Sequence, residues 1–183
     1  MTERSVPETL RCFVALWPNE SARRALDVIA SAQLQRWPQA RQMRAEDLHL
    51  TLAFIGALPA DTVRALQPRI DALPIVPFDW RLDRLGSFGA ARVLWIGGAP
   101  NAALSALAAE VRSCLDANAI AYDHKPFVPH VTLLRNLPRD ASTDAAINAT
   151  EVAPIRWPVV GPRLVVSTTS PAGVRYRDAA EVL

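Results

Sequence analysis

A short pattern, histidine–apolar–threonine–leucine, occurs twice in this chain and constrains its fold more than any other feature. It covers residues 49–52 and 130–133, whose histidines lie 81 positions apart in a chain of 183 residues. The chain has only three histidines and nine threonines, so random placement would produce two such pairs about one time in a hundred. Both copies lie in apolar runs typical of buried strands, which predicts two strands with matching side chains.

Successive side chains on a strand point to opposite faces, so each copy places its histidine and threonine on one polar face. The polar face carries His49 and Thr51 in the first strand, and His130 and Thr132 in the second. Strict alternation puts Phe54 on the apolar face of the first strand. Two such polar faces across a cleft would surround a tetrahedral anion with two imidazoles and two hydroxyls.

This arrangement fits phosphoryl transfer by acid–base catalysis. A neutral imidazole can take a proton from an attacking water, and a protonated imidazole can give one to the leaving oxygen. Because the pKa of an unperturbed imidazole is about 6.5, both forms are available near neutral pH. The threonine hydroxyls can donate hydrogen bonds to phosphate oxygens, whose charge grows in the transition state. The residues alone leave open which histidine is the acid.

Two alternative roles for the histidines have weaker support. A single histidine in an apolar strand is more often a hydrogen-bonded core or edge residue, but two copies in the same setting argue against that role. A zinc site is disfavoured because the chain has no HxH or HExxH pattern, and Cys12 and Cys114 follow apolar patterns. We therefore expect no metal and no cofactor.

Apolar periodicity predicts the remaining elements. Helices are expected between Asn19, as an N-cap, and Pro38, and over residues 60–73, where Pro68 should cause a kink or a division into two short helices. The connection over 138–154 is expected to be irregular. The other predicted elements are a helix over 102–118 capped by Asn101, strands over 12–16, 48–55, 78–88, 92–97, 130–135, 155–160, 163–169 and 174–177, and a hairpin turn at 171–173.

This layout predicts one α+β domain over residues 1–183, with two pseudo-symmetric lobes that share a core and each offer one motif strand. Half of the chain is apolar, which is enough for a sizeable core. The net charge of +2 is too small for a protein that coats nucleic acid. The N-terminal residues are polar and no apolar run is long enough to span a membrane, so we expect a cytoplasmic monomer without membrane association.

The two motifs also resemble those of a known family. Residues 49–56 and 126–135 are similar to the signature motifs of the two-histidine phosphoesterase superfamily. More narrowly, they resemble the bacterial and archaeal RNA 2′,3′-cyclic phosphodiesterases, formerly called 2′-5′ RNA ligases. Residues 11–16, 93–97 and 170–176 resemble the family's opening strand, mid-chain strand and closing hairpin. The resemblance therefore covers nearly the whole chain.

The resemblance implies antiparallel sheets that line a central cleft, with helices outside. It implies metal-independent hydrolysis of a 2′,3′-cyclic phosphate on RNA or a small nucleotide to a 2′-phosphomonoester, with 2′-5′ RNA ligation as a side activity. His49 would then be the proton donor to the 3′ oxygen and His130 the proton acceptor. Thr51 and Thr132 would bind the phosphate.

Three further residues are candidates for the site. By resemblance Arg135 is a phosphate ligand, but strict alternation places it on the apolar face, so it can join the site only if the strand ends or bulges near Leu134. Phe54 and Trp95 are possible base-stacking groups, although core packing is the more common role for such residues. Two other functions remain open: a non-catalytic module that binds nucleotides or RNA ends, and a phosphodiesterase for 2′-5′-linked oligonucleotides.

Overall fold

The computed structural model describes residues 9–139, 141–148, 150–170 and 173–183. Nine strands and four α-helices lie in these ranges. The strands are β1 (Thr9–Leu16), β2 (Arg41–Gln42), β3 (Leu50–Pro59), β4 (Phe78–Phe88), β5 (Val93–Gly97), β6 (Val131–Arg135), β7 (Glu151–Val159), β8 (Arg163–Ser170) and β9 (Gly173–Asp178). The helices are α1 (Glu20–Arg36), α2 (Ala60–Asp71), α3 (Ala102–Ala117) and α4 (Ala141–Asn148).

The strands form two sheets in which every neighbouring pair is antiparallel. The first sheet has the strand order β3-β1-β8-β9, and the second has the order β2-β6-β5-β4-β7. The motif strands β3 and β6 therefore lie in different sheets. This confirms the predicted α+β class with antiparallel sheets.

The two sheets share a core but do not correspond to the two halves of the chain. Strands β8 and β9 return from the second half to join the first sheet, and β2 belongs to the second sheet. The main hydrophobic cluster contains buried residues of both sheets, including Val14 and Leu164 from the first and Leu82 and Leu134 from the second. The interior is therefore continuous between the two sheets.

Helices α1 and α3 begin where the sequence indicates and pack across the lobes. The side chain of Asn19 accepts a hydrogen bond from the Ala22 amide, and that of Asn101 accepts one from the Leu104 amide, both at 2.9 Å. These bonds satisfy amides that a helix start leaves free. Helix α1 packs against β6 and β7 of the second sheet, whereas α3 packs against β3 of the first. Each motif strand thus has a helix from the other half of the chain beside it.

Two local predictions need correction. Of the kink or division expected at Pro68, the division does not occur: α2 is one helix, and Pro68 lies only three residues before its end, so few backbone bonds depend on it. The connection over 138–154 is not irregular: it contains α4 and the start of β7, and Ile147 of α4 is fully buried. In the expected turn at 171–173, residues 171 and 172 lie outside the described residues.

Candidate active site

The two motifs meet at one cavity between the sheets. Each histidine lies immediately before its strand, His49 before β3 and His130 before β6. A cavity of about 110 Å³ is lined by both histidines, both motif threonines and Arg135, together with Met43 and Asp47. The fold therefore brings together all five residues that the sequence assigned to the phosphate site. We call this space the central cavity.

Each of the two imidazoles is held by an equivalent hydrogen bond to a backbone carbonyl oxygen. The Nδ1 atom of His49 lies 2.7 Å from the carbonyl oxygen of Asp47, and the Nδ1 atom of His130 lies 2.7 Å from that of Val128. A carbonyl oxygen can only accept, so Nδ1 donates in both rings and Nε2 of the neutral form is left to accept a proton. No described residue makes a hydrogen bond to either Nε2, which leaves both nitrogens available for a ligand.

Aromatic rings fix the orientation of His49. Its imidazole stacks on Trp17 with ring centroids 5.4 Å apart and an interplanar angle of 24°. The Phe13 ring is tilted by 34° with its centroid 4.9 Å away, and the Tyr176 ring is T-shaped to the imidazole with centroids 5.0 Å apart. The motif alone does not reveal these rings, because Phe13, Trp17 and Tyr176 come from β1, the turn after it and β9.

His130 has fewer aromatic neighbours. Phe88 meets it edge-on with centroids 4.9 Å apart, and Trp95 lies at 6.2 Å with an angle of 57°. The indole of Trp95 occupies the space above Gly86, where a Cβ atom would lie 2.2 Å from the Trp95 ring. A larger residue at position 86 would therefore displace Trp95 from its position beside His130.

Burial lowers the pKa of both histidines below the ordinary value. The pKa of His49 falls to about 4, first because burial disfavours the charged ring and further because Arg135 and His130 lie nearby. The pKa of His130 is also lowered, by burial and by Arg135. The hydrogen bond to a backbone carbonyl opposes the shift in each case. Both rings are therefore mainly neutral at pH 7.

A β-bulge turns Arg135 toward the central cavity. In the pairing of β5 with β6, Trp95 lies opposite Thr132 and Leu94 lies opposite Leu134, so Leu133 is the extra residue. This bulge breaks strict alternation and places Arg135 on the same face as Thr132. The condition that the sequence set for Arg135 to join the site is met. No described residue pairs with its guanidinium, which leaves it available to bind an anion.

A second bulge, in the first motif, corrects the prediction for Phe54. In the pairing of β1 with β3, Val14 lies opposite Ala53 and Ala15 opposite Thr51, so Leu52 is the extra residue. Phe54 therefore shares a face with Thr51 instead of lying behind it, and it lines two cavities that also contain Thr51. Phe54 and Arg135 each lie five positions after their motif histidine. At this corresponding position the first sheet therefore has the aromatic ring of Phe54, and the second sheet has the guanidinium of Arg135.

The other candidate for base stacking lies in a different environment. Trp95 packs between Phe88 and the motif histidine of its own sheet. It lines neither the central cavity nor the two cavities that include Phe54. Its indole nitrogen is buried without a hydrogen-bond partner among the described residues. Trp95 therefore packs beside His130, and its possible contact with a base stays a prediction.

An ion pair between the half-buried Arg44 and the buried Asp47 holds the segment before His49. Asp47 is 4% exposed, and its carboxylate accepts a hydrogen bond of 3.0 Å from Nε of Arg44. The same guanidinium donates to the carbonyl oxygen of Val174 at 2.7 Å, which ties this segment to β9. Because the Asp47 carbonyl accepts the hydrogen bond from Nδ1 of His49, the Arg44–Asp47 pair positions that histidine indirectly. Neither member of the pair could be recognised as part of the site from the sequence.

Two larger cavities open beside the central one. The first, of about 490 Å³, extends over the front of the first sheet and includes His49, Thr51 and Arg135. The second, of about 430 Å³, is mostly apolar and includes Thr51, Phe54, Phe88 and His130. Both volumes are in the range of small-molecule sites, roughly 300–1,000 Å³. The central cavity is therefore the junction of two wider spaces.

Metal-ligand clusters and membrane-spanning helices are both absent from the described ranges. No three residues among His, Cys, Asp and Glu in these ranges are grouped as ligands for a metal ion. None of the described helices combines the length and apolar character that are needed to cross a bilayer.

Comparison with known proteins gives consistent matches. Residues 18–170 match the profile of the 2′-5′ RNA ligase superfamily. An RNA 2′,3′-cyclic phosphodiesterase of Geobacillus stearothermophilus is 30% identical over 67% of this chain and 41% of that protein. One of Escherichia coli K12 is 37% identical over 52% of this chain and 55% of that protein. The chain therefore aligns with less than two thirds of the length of these two relatives.

A solved structure matches over almost the full length. The crystal structure of E. coli LigT complexed with 3′-AMP superposes with a TM-score of 0.75 and 27% sequence identity, covering 93% of this chain and 95% of LigT. The superposed region includes both sheets, so the similarity extends to the fold that forms the central cavity.

Proposed function

The chain belongs to the 2′-5′ RNA ligase superfamily, and from that membership we propose that it hydrolyses the 2′,3′-cyclic phosphate of an RNA or nucleotide end to a 2′-phosphomonoester. The observation that carries the proposal is the central cavity, in which both motif histidines, both threonines and Arg135 face one space. The two curated relatives are RNA 2′,3′-cyclic phosphodiesterases, and LigT was crystallised with 3′-AMP, which supports a nucleotide as the ligand.

The reaction is an in-line displacement at phosphorus. A neutral histidine takes a proton from water through Nε2 while the water oxygen forms a bond to phosphorus. The bond between phosphorus and the 3′ oxygen breaks, and the second histidine, protonated at Nε2, gives its proton to that oxygen. The products are a 3′ hydroxyl and a 2′-phosphomonoester. Proton exchange with solvent restores the two histidines for the next turnover.

The remaining residues stabilise negative charge. The hydroxyls of Thr51 and Thr132 donate to the two non-bridging oxygens, and the Arg135 guanidinium supplies the positive charge. Removing a donor of this kind lowers kcat by about 100-fold or more in enzymes that stabilise an oxyanion. Thr51→Val and Thr132→Val should therefore each reduce turnover strongly while preserving side-chain shape.

The family resemblance assigns the acid to His49 and the base to His130. Since the pKa of His49 is about 4, this assignment requires the acid to gain its proton together with the substrate. A bound phosphodiester brings one negative charge next to both rings, which raises the pKa of each. Substrate binding and protonation of the acid are therefore coupled.

Product analysis tests the proposed activity. Purified protein in EDTA is incubated with a short RNA that ends in a 2′,3′-cyclic phosphate, and the terminal phosphate is assigned by ³¹P NMR. We expect conversion to the 2′-phosphate. The rate of this conversion should be about 100-fold or more lower in His130→Ala.

Binding without turnover would instead favour the nucleotide-binding module. Cleavage of internal 2′-5′ linkages with intact cyclic ends would favour the alternative phosphodiesterase. Full activity of His130→Ala would exclude the acid–base mechanism.

A further inference from the structure

The cavity of about 490 Å³ on the front of the first sheet carries more positive charge than one cyclic phosphate requires. We call it the arginine groove, and the residues that define it are Arg11, Arg41, Arg135, Phe54, Ser167 and Thr169. A 2′,3′-cyclic phosphodiester has a single negative charge, which Arg135 and a protonated histidine already match. Arg11 and Arg41 remain as two cations without a role in the proposed hydrolysis.

These arginines lack acidic partners in the part of the chain that the structure describes. Arg41 of β2 lies directly opposite Arg135 of β6 in the strand register, and like charges in that position repel. Neither guanidinium forms an ion pair or hydrogen bond with a described residue, and no described aspartate or glutamate lines the groove. Arg11 has no described carboxylate partner either and lies over the Phe54 ring at 4.8 Å from its centroid. The three cations therefore create a local excess of positive charge that an anion with several charges would relieve.

We propose, on the basis of the cyclic phosphodiesterase function above, that the arginine groove binds the RNA strand upstream of the cyclic end. In this arrangement Arg135 contacts the terminal phosphate, and Arg11 and Arg41 contact the preceding phosphodiesters. The preferred substrate is then an oligonucleotide with a cyclic end, not a cyclic mononucleotide.

The other walls of the groove have the chemistry of a single-strand site. Ser167 and Thr169 lie on β8 and supply hydroxyls that can bind phosphate or the ribose 2′ hydroxyl. Phe54, with Arg11 stacked on it, and Tyr176 supply flat groups on which unpaired bases can stack. A cationic groove with interleaved aromatic side chains is typical of proteins that hold single-stranded nucleic acid. A duplex would not offer its bases in this way, so the occupant is a single strand.

The test compares two substrates with two pairs of substitutions. The kcat/KM is measured for a cyclic mononucleotide and for a pentanucleotide with the same cyclic terminal nucleoside, in the unmodified protein and in Arg11→Gln/Arg41→Gln. The control is Arg69→Gln/Arg139→Gln, which removes the same charge from exposed arginines that do not line the groove. Far-UV circular dichroism verifies that all three proteins are folded.

We expect the unmodified protein to prefer the pentanucleotide, and Arg11→Gln/Arg41→Gln to reduce that preference about tenfold or more while the control preserves it. The dependence of the pentanucleotide kcat/KM on salt should also weaken. Two lost phosphate contacts lower the logarithmic slope by about 1.4 for a single strand.

The possible outcomes separate the groove from the proposed activity. If neither substrate is hydrolysed, the phosphodiesterase proposal fails. If both are hydrolysed but the preference for the pentanucleotide is absent, or is unaffected by Arg11→Gln/Arg41→Gln, the activity holds and the groove proposal is overturned. An equal loss of the preference in Arg69→Gln/Arg139→Gln would show that the effect comes from overall charge, and it would also overturn the groove proposal.

Discussion

The two motif histidines have the same hydrogen bond but different surroundings. Three aromatic rings enclose His49, and two lie beside His130. A ring enclosed in apolar groups is poorly solvated when charged, which accounts for the pKa of about 4 at His49. The repeated sequence motif therefore does not produce two equivalent titrating groups.

This difference predicts an acidic optimum for kcat/KM. The productive free protein has its one proton on His49 and a neutral His130. This arrangement is a constant fraction of the singly protonated protein, which dominates between the two apparent pKa values. The pKa of His49 is about 4, and that of His130 is lowered below its ordinary value of 6.5. We therefore expect kcat/KM to be highest at a pH above 4 and below 6.5. Above pH 6.5 it should fall about tenfold per unit. Initial rates from pH 4 to 8.5 at constant ionic strength measure this, and an optimum above pH 7 would contradict it.

Among the strands, the two bulges have the largest effect on the site. An extra residue at Leu52 in β3 and at Leu133 in β6 gives each motif strand a second inward-facing position after its threonine. Phe54 and Arg135 occupy these equivalent positions, so the bulges produce the main chemical asymmetry of the site. Gly56, with φ of 97°, allows a further irregularity of β3 beyond Phe54.

The segment that precedes β3 predicts a second measurable effect. Arg44→Gln removes the partner of the buried Asp47 carboxylate and should destabilise the protein by about 3 kcal/mol. It should also reduce kcat, because the Asp47 carbonyl then orients His49 less firmly. Glu46→Gln is the matched control, since Glu46 is an exposed partner 3.9 Å from Arg44 and should contribute less than about 1 kcal/mol. Urea unfolding and kcat measure both effects; equal stability of the two variants would contradict the prediction.

The strands and the motif residues could be predicted from the sequence because burial and alternation leave a local pattern. The sequence predicts a strand over 78–88, and β4 has the same bounds. The bulges could not be predicted, since nothing in the sequence of either motif strand distinguishes a bulged from a regular one. The aromatic neighbours of His49 escape prediction for another reason: Phe13 and Tyr176 approach it through tertiary contacts of β1 and β9. Helix α4 escapes it because its short, Ala-rich sequence has little apolar periodicity.

In the complete fold, the central cavity depends on two sheets that share one core. Strands β8 and β9, from the second half of the chain, complete the first sheet. Helix α1, from the first half, packs on the sheet that contains β6, and helix α3, from the second half, packs on the sheet that contains β3. The relative position of the two histidines is therefore fixed by the same packing that stabilises the fold. Loss of that packing should remove activity and structure together.

This coupling predicts a specific loss of stability in acid. The pKa of His49 is 6.5 before folding and about 4 after it. Between these pH values the unfolded chain therefore binds a proton at His49 that the folded chain does not bind. The free energy of unfolding is unaffected above pH 6.5 and falls as the pH decreases toward 4, by about 2 kcal/mol at pH 5. Urea unfolding at pH 7 and pH 5 measures the loss. His49→Gln should reduce it, and an equal loss in that variant would show that His49 does not titrate in this way.

The proposed mechanism rests on two histidines, one from each sheet, that divide the acid and base roles. Single-turnover hydrolysis of two cyclic substrates tests this division, one substrate with the ordinary 3′ oxygen and one with a bridging 3′ sulfur. A thiolate leaves without protonation, so it does not need the acid.

On the oxygen substrate, His49→Gln and His130→Gln should each reduce the rate by about 100-fold or more. On the sulfur substrate, His49→Gln should be close to the unmodified protein, whereas His130→Gln should still be impaired. Equal impairment of both variants on the sulfur substrate, or rescue of His130→Gln instead, would contradict the assignment. Full activity of either variant on the oxygen substrate would contradict the two-histidine mechanism itself.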